Sequence, residues 1–450
     1  MDVALSHDEA RLSTSRPTGV ATGERETIVT RMDPAPARPR GNGSTLFWKA
    51  PSAAESLPEP AEEVLAKARP ELIALRRQIH MHPELSGQEF ETASLVAQEL
   101  KGIGLEPRLL PRGNGVICDV GDGPETIALR ADIDALGLQD AKDVPYKSRV
   151  DGVCHACGHD VHTTILVGTA RVLAELDARG ELPHRVRLIF QPAEEVVPSG
   201  APEVIATGAL DGVSSIFALH CFPYLPVGRA AIRTGPLTAA ADFVEIRLSG
   251  SGGHTARPHL TGDLVHAMGR IVTDLPALLG RRIDARANAT MVFGSAHAGD
   301  AHNAIPMTGV LRGTMRVTSH EVWHRLPELV PATIRDILNG TGVDADIDYR
   351  KGLAPVVNDR DATMRVTRAA TAVLGDGSVD EAEMSMGGED FSFYTDLVPG
   401  AMFRLGVGKL GAVDIDVADI HQPTFDVDER SIACGIRVFT RLVLDGAGEG

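Results

Sequence analysis

The stretch Gly152-Val-Cys-His-Ala-Cys-Gly-His-Asp-Val-His162 constrains this chain more than any other. It crowds Cys154, His155, Cys157, His159, Asp160 and His162 together. Thiolate, imidazole and carboxylate are the side chains that bind borderline transition metals. Ala156 and Gly158 between them let the backbone bend so that neighbouring side chains can converge. The functional reading is a metal site with Cys157 and His159 as ligands. Two plainer readings compete: a redox pair of Cys154 and Cys157, and a structural zinc knuckle. The knuckle needs a second Cys/His pair at matching spacing, and the sequence has none. Gly158 stands where a c-type haem signature would require His.

Composition narrows the classes. A chain of 450 residues is expected to hold two or three domains. The net charge, 44 − 61 = −17, repels nucleic acid and anionic membranes. Aromatics at 4% leave little for base stacking. No apolar run reaches the ~18 residues of a membrane span. Five scattered cysteines do not suggest a secreted disulfide framework. Asp2, Asp8 and Glu9 occupy an N-terminus without an apolar run, so no signal peptide is expected. These features predict a cytoplasmic protein with no nucleic-acid or membrane partner.

Residues 1–60, rich in Ser, Thr, Pro, Arg and Gly, read as a flexible tail. Helices are expected from Ala61 to about His80, from Glu89 to Ile103 and from His162 to about Leu176. His80 and His82 are metal candidates by type alone. Three apolar strands end in polar residues. Thr126–Arg130 runs into Asp132 and Asp134, Val186–Phe190 into Glu194 and Glu195, and Ser215–Leu219 into His220. Apolar strands alternating with helices imply a mostly parallel sheet, whose ligands collect at the strands' carboxyl ends. The expected fold class is therefore α/β, with this sheet carrying the catalytic chemistry.

Beyond Gly235 the pattern changes to alternating strands and two helices in βαββαβ order. This predicts a ferredoxin-like domain at 236–351 inserted into a catalytic domain at 61–235 and 352–450. The insert carries Gly252-Gly-His254 and Asn303-Ala-Ile-Pro306. The resumed catalytic part carries Gly387-Gly-Glu-Asp-Phe391 and His421.

With Leu129-Arg-Ala-Asp-Ile-Asp-Ala-Leu136, His155-Ala-Cys-Gly-His-Asp160 and Phe190-Gln-Pro-Ala-Glu-Glu195, these motifs resemble one family in order and type. It is the amidohydrolase branch of the co-catalytic metallopeptidases, with hippurate hydrolase, indoleacetyl-amino-acid hydrolase and N-acetyldiaminopimelate deacetylase. Aminoacylase and carboxypeptidase G are more distant. The resemblance spans about Leu75 to Leu444. It implies Cys157, His159, Glu195, His220 and His421 as ligands of two divalent ions (Mn, Zn, Ni or Co). It implies Glu194 as catalytic base and Asp134 as the carboxylate orienting a ligand imidazole. His254 and Asn303 match lid residues that reach an active site across a homodimer in relatives. Asp132 could replace Asp134 in its role or face solvent. Arg257 and Arg316 read as a substrate-carboxylate grip or as surface arginines. Gly137 stands where the family usually has Pro, and Cys154 where it usually has Met.

The implied reaction is hydrolysis of N-acyl amino acids, with a small-molecule substrate and a homodimer formed through the lid. A dipeptidase or carboxypeptidase on the same site is an alternative, as is a non-catalytic metabolite-binding relative.

Overall fold

The structure, a computed structural model, describes residues 56–411 and 417–445. The expected tail thus lies almost wholly outside the described residues. Of its last residues, Leu57 is buried and a helix starts at Glu59.

Helices α1 (Glu59–Met81) and α2 (Phe90–Gly102) come first. Strands β1 (Arg108–Leu109), β2 (Val116–Val120) and β3 (Thr126–Asp132), helix α3 (His159–Ala178), and strands β4 (Arg185–Gln191), β5 (Val213–Pro226) and β6 (Ala230–Ile232) follow. A second unit holds β7 (Ala241–Gly250), α4 (Leu264–Arg282), β8 (Thr290–Ala298), β9 (Thr308–Arg316), α5 (His320–Leu338) and β10 (Val343–Leu353). The chain then returns through α6 (Arg360–Leu374), β11 (Val379–Glu381), β12 (Gly400–Gly408) and α7 (Arg430–Leu444).

The first and last parts share one eight-stranded sheet, ordered β1-β2-β4-β3-β5-β12-β6-β11. Its centre is parallel: β3 with β4, β3 with β5, and β5 with β12. Side-chain alternation supplies both faces. Ile127, Leu129, Val186, Leu188 and Phe190 join one core, which α1, α2, α3, α6 and α7 cover. Ala128, Ile189, Ile216 and Met402 point into another, against Phe391 and Tyr394. Every residue of β3 is buried, as a central parallel strand requires.

The second unit is a four-stranded antiparallel sheet, ordered β8-β9-β7-β10, carrying α4 and α5. This is the ferredoxin-like order that βαββαβ connectivity produces. Its core draws on residues between Ala240 and Ala354. Both helices begin at side-chain caps: Asp263 accepts the His266 N–H and Ser319 the Val322 N–H.

Register places the chemistry. Asp132 lies opposite Gln191 across β3 and β4, and Arg130 opposite Ala218 across β3 and β5. Two residues further along β5 comes His220. The carboxyl ends of β3 and β4 therefore open onto one space beside the middle of β5, which does not end before His220 as expected but continues, paired with β12, to Pro226.

Candidate metal centre

Helix α3 starts at His159, earlier than the apolar pattern predicts, because Gly158 ahead of it adopts φ 93°. The Gly158 carbonyl accepts the Val161 and His162 N–H groups. A Cβ there would fall 2.8 Å from Cys221 Sγ, so only glycine lets the turn approach β5 so closely. This turn brings Cys157 and His159 against the strand ends.

Ligand atoms of Cys157, His159 and His220 lie within 4.8 Å of one another, as do those of Cys157, Glu195 and His421. The two groups share Cys157. Its Sγ is 3.4 Å from His220 Nε2 and 3.4 Å from His421 Nε2. Glu195 Oε1 is 3.3 Å from His421 Nε2 and 3.7 Å from His159 Nε2. His421 arrives on a loop pinned by its own N–H, which donates to the Ala156 carbonyl at 2.7 Å. It sits at φ 62°, a left-handed conformation uncommon outside glycine.

Hydrogen bonding fixes the imidazole tautomers. His159 Nδ1 faces two acceptors, the Asp134 carbonyl at 2.9 Å and Asp134 Oδ1 at 3.1 Å. Nδ1 must therefore carry the proton, which leaves Nε2 bare and aimed at the cluster. His220 Nδ1 likewise donates to the Cys221 carbonyl at 2.9 Å. Asp134 does more than orient one ring, since its Oδ2 accepts the Glu195 N–H at 3.0 Å and the Ser86 hydroxyl at 2.7 Å.

The residues present fit divalent cations. His159 Nε2 and Glu195 Oε1 are buried without a hydrogen-bond partner. Burial, then Glu195 and Glu194, push the Cys157 thiol well above its ordinary range. Burial, then Glu389 and Glu195, raise the Glu194 carboxyl similarly. Burial works against charging His159, but Asp132, Asp134 and Glu195 outweigh it and push it up to about 10, so the uncharged ring with a bare Nε2 is the form that a bound cation would select. So many anions in a dry site need positive charge, and bare donors of N, O and S type supply what such ions prefer.

Glu194 lies beside this set, with its carboxylate within 4.8 Å of ligand atoms of His159 and Glu195. It also approaches Glu389 and Asp390. Arg130 cages those carboxylates: it donates to Asp132 at 2.6 Å, Asp390 at 2.6 Å and Gln191 at 2.9 Å, and stands 3.3 Å from Glu389.

The expected site residues thus divide. Asp134, Cys157, His159, Glu194, Glu195, His220 and His421 meet in one cluster. His254 and Asn303 are exposed on the second unit, where the Thr255 N–H donates to the Asn303 carbonyl. Among the described residues neither makes a hydrogen bond or ion pair to the cluster. Asp132 does not face solvent. It is buried and accepts from His162 Nδ1 at 2.6 Å, while His162 Nε2 accepts the Cys221 N–H at 2.8 Å. Of the two histidines proposed by type alone, His80 is spent on Asp160 and Asp140 at 2.7 and 3.3 Å, and His82 is exposed. Arg316 reaches the Met386 carbonyl at 2.9 Å and Arg257 is exposed. Cys154 and Cys157 are both free thiols. Sequence reasoning gave no role to Arg130, His162, Glu389 or Asp390. The Gly-Gly-Glu-Asp-Phe motif was the visible signal for the last two.

The profile of peptidase family M20/M25/M40 matches residues 128–445. An N-acetylcysteine deacetylase of Bacillus subtilis is 38% identical over 377 residues, covering 83% of this chain and 96% of that protein. A Rhodococcus jostii protein named as a glutamate–cysteine ligase is 47% identical over 408 residues, which is 90% of this chain. This chain spans only half of that relative's length. The crystal structure of a dinuclear metal-binding peptidase of the M20 family from Bacillus subtilis superposes with a TM-score of 0.73. Identity there is 35%, and the match covers 84% of this chain and 98% of the other. A buried cluster of bare N, O and S donors at the end of a parallel sheet, and likenesses that run nearly the length of the described chain, place this protein in the amidohydrolase branch of peptidase family M20/M25/M40.

Proposed function

We propose that the chain hydrolyses the amide bond of N-acyl amino acids, releasing an acyl carboxylate and a free amino acid. The observation that carries this reading is the position of Glu194. It is a buried carboxylate beside the bare donors of His159 and Glu195 that has no ion-pair partner of its own among the described residues. The likeness to an N-acetylcysteine deacetylase supports an N-acylated amino acid as substrate.

Cys157, His159, Glu195, His220 and His421 would hold two divalent ions (Mn, Zn, Ni or Co), which supply a polarised acyl carbonyl and an acidified water. Glu194 takes the proton of the attacking water and delivers it to the leaving amine. Burial among carboxylates raises its proton affinity, which suits a group that must accept a proton and later surrender it. Asp134 holds His159 in one tautomer and holds the Glu195 backbone in place. His254 and Asn303, exposed in this chain, act across a homodimer on a neighbouring site, as donors to the developing oxyanion. The exposed Val265, Val272 and Met307 of the second unit are consistent with a subunit contact there.

Five unpaired cysteines are consistent with the cytoplasm. Among the described residues no helix is long and apolar enough to cross a membrane.

The test is amine release from acetyl, benzoyl and indoleacetyl amino acids and from dipeptides. Apoprotein is reloaded with each metal in turn. Metal-dependent turnover of acyl amino acids is expected. Turnover of dipeptides alone would move the assignment to a peptidase. Silence across the panel, with two metals bound, would favour a metabolite-binding relative.

A further inference from the structure

Glu194 and Glu195 are consecutive residues just past β4. On an extended backbone their side chains would point to opposite faces. Both nevertheless reach one cluster, so the segment leaves the extended course of β4 just before them. Ala193, immediately before them, sits at φ 55°, in the left-handed region that a residue with a Cβ seldom adopts. Something outside the segment must hold it there.

The holder is 104 positions away. Glu89 Oε1 accepts the Ala193 N–H at 2.8 Å. The same oxygen accepts the Gly87 N–H at 2.6 Å, and Oε2 faces Asn114 Nδ2 at 3.2 Å. Glu89 is fully buried yet contacts no member of the metal cluster through these bonds. It occupies the N-cap position of α2 but its side chain makes no capping bond there. A buried carboxylate is costly, and here it is directed at another segment's backbone. The opposite side of the turn is clamped too. The Gly200 N–H donates to the Ala193 carbonyl at 2.8 Å, and a Cβ on Gly200 would fall 1.9 Å from the Pro192 carbonyl oxygen.

We propose that Glu89 is a positioning residue whose hydrogen bond to Ala193 fixes the left-handed turn that brings Glu194 and Glu195 into one site. The inference rests on the reading above, in which Glu194 is the base and Glu195 a metal ligand. Glu89 touches neither substrate nor the reacting atoms. It acts only through the backbone.

The experiment compares Glu89→Ala, Glu89→Gln and Glu89→Ala/Ala193→Gly in metal-loaded protein, and solves the metal-free crystal structures of wild type and Glu89→Ala. Glu89→Ala is expected to lose roughly tenfold to hundredfold in kcat with KM nearly unchanged, as a small displacement of a catalytic group does. Glu89→Gln is expected to keep most of the rate. Its Oε1 can still accept both backbone N–H groups, and Asn114 Oδ1, otherwise without a partner, can accept from the new amide. Glycine at 193 tolerates the left-handed conformation without help and is expected to restore part of the loss. In the metal-free Glu89→Ala crystal, residue 193 leaves positive φ and the 3.3 Å approach of Glu195 to His421 opens.

The proposal is overturned if folded Glu89→Ala keeps wild-type kcat, if Gln fails as badly as Ala, or if residue 193 stays at positive φ in the variant crystal. Should Glu89→Ala not fold, Gly200→Ala distorts the same turn from the other side. Loss of kcat with KM retained supports the proposal, and full activity overturns it. Wild-type protein silent on every substrate would instead defeat the functional reading. The metal-free structures would still decide the role of Glu89.

Discussion

His159, proposed as a metal ligand, shows how much of such a role resides outside the residue itself. Its Nδ1 is committed to Asp134, and that commitment bares Nε2. Asp134→Asn would present an amide where two acceptor oxygens serve His159, Ser86 and the Glu195 N–H. Loss of such a partner typically weakens metal binding roughly 10- to 100-fold. Competition with a chelator measures this, and unchanged affinity would contradict it. Glu194→Gln separates the proposed base from the proposed ligands. Turnover should fall by about 10²- to 10⁴-fold, the usual worth of a positioned proton-transfer group. Metal analysis of the same protein should still find the wild-type content. Loss of metal together with activity would make Glu194 a ligand instead. The residue types of this cluster were legible, because Cys, His and Glu at strand ends and in a Gly-spaced turn have few other uses. The partners were not. Arg130, whose side chain meets Asp390 260 positions away, looks in sequence like any strand arginine.

At the scale of elements, periodicity placed the helices and strands well and placed their ends less well. Helix α3 was expected from His162 because His159 and Asp160 break the apolar pattern. They are nonetheless helical and buried, and their polarity is spent inside the protein. Asp160 holds α3 to α1: its Oδ2 lies 2.8 Å from Arg76 Nε and 2.7 Å from His80 Nδ1, all three residues being fully buried. Asp160→Asn would leave Arg76 deep in the protein with only its longer ion pairs, to Glu429 and Asp426 at 3.4 and 3.7 Å. Removing one partner of a buried pair costs about 3–5 kcal/mol. The pH dependence has a definite sign. Burial alone would raise the Asp160 carboxyl, but Arg76 and then His80 outweigh it and hold it well below the ordinary range. A depressed folded-state value means stability that is complete above the unfolded value of about 3.9 and is lost as pH falls through the folded one. Denaturant titrations should therefore show the full gap between wild type and Asp160→Asn at neutral pH, narrowing in acid. A gap that widened below pH ~4 would contradict the assignment.

At the scale of the whole molecule, the inserted unit is the feature that one chain does not explain by itself. Its βαββαβ order was legible because alternating strands and amphipathic helices have separate periods. What the unit does for the cluster was not legible, since it depends on a surface rather than on a pattern. His254 is exposed on a short two-stranded ladder and pairs in register with Ala304, next to Asn303. Its Nδ1 accepts only the nearby Ala256 N–H, at 3.0 Å. Nothing among the described residues gives it catalytic work, so its proposed role needs a second subunit. That requirement is measurable by complementation. His254→Ala and Glu194→Gln protein would each be nearly inactive as a pure dimer. Mixed dimers would contain one site with Glu194 from the first chain and His254 from the second. Random exchange of equal amounts should then restore roughly a quarter of the wild-type rate, because half the dimers are mixed and each has one intact site. A different affinity tag on each variant, followed by tandem capture of the mixed dimer, checks that exchange has occurred. If exchange is complete and no activity returns, His254 acts within its own chain or not at all. If wild type is a fully active monomer, the trans arrangement fails outright, and the exposed apolar residues of the second unit need another explanation.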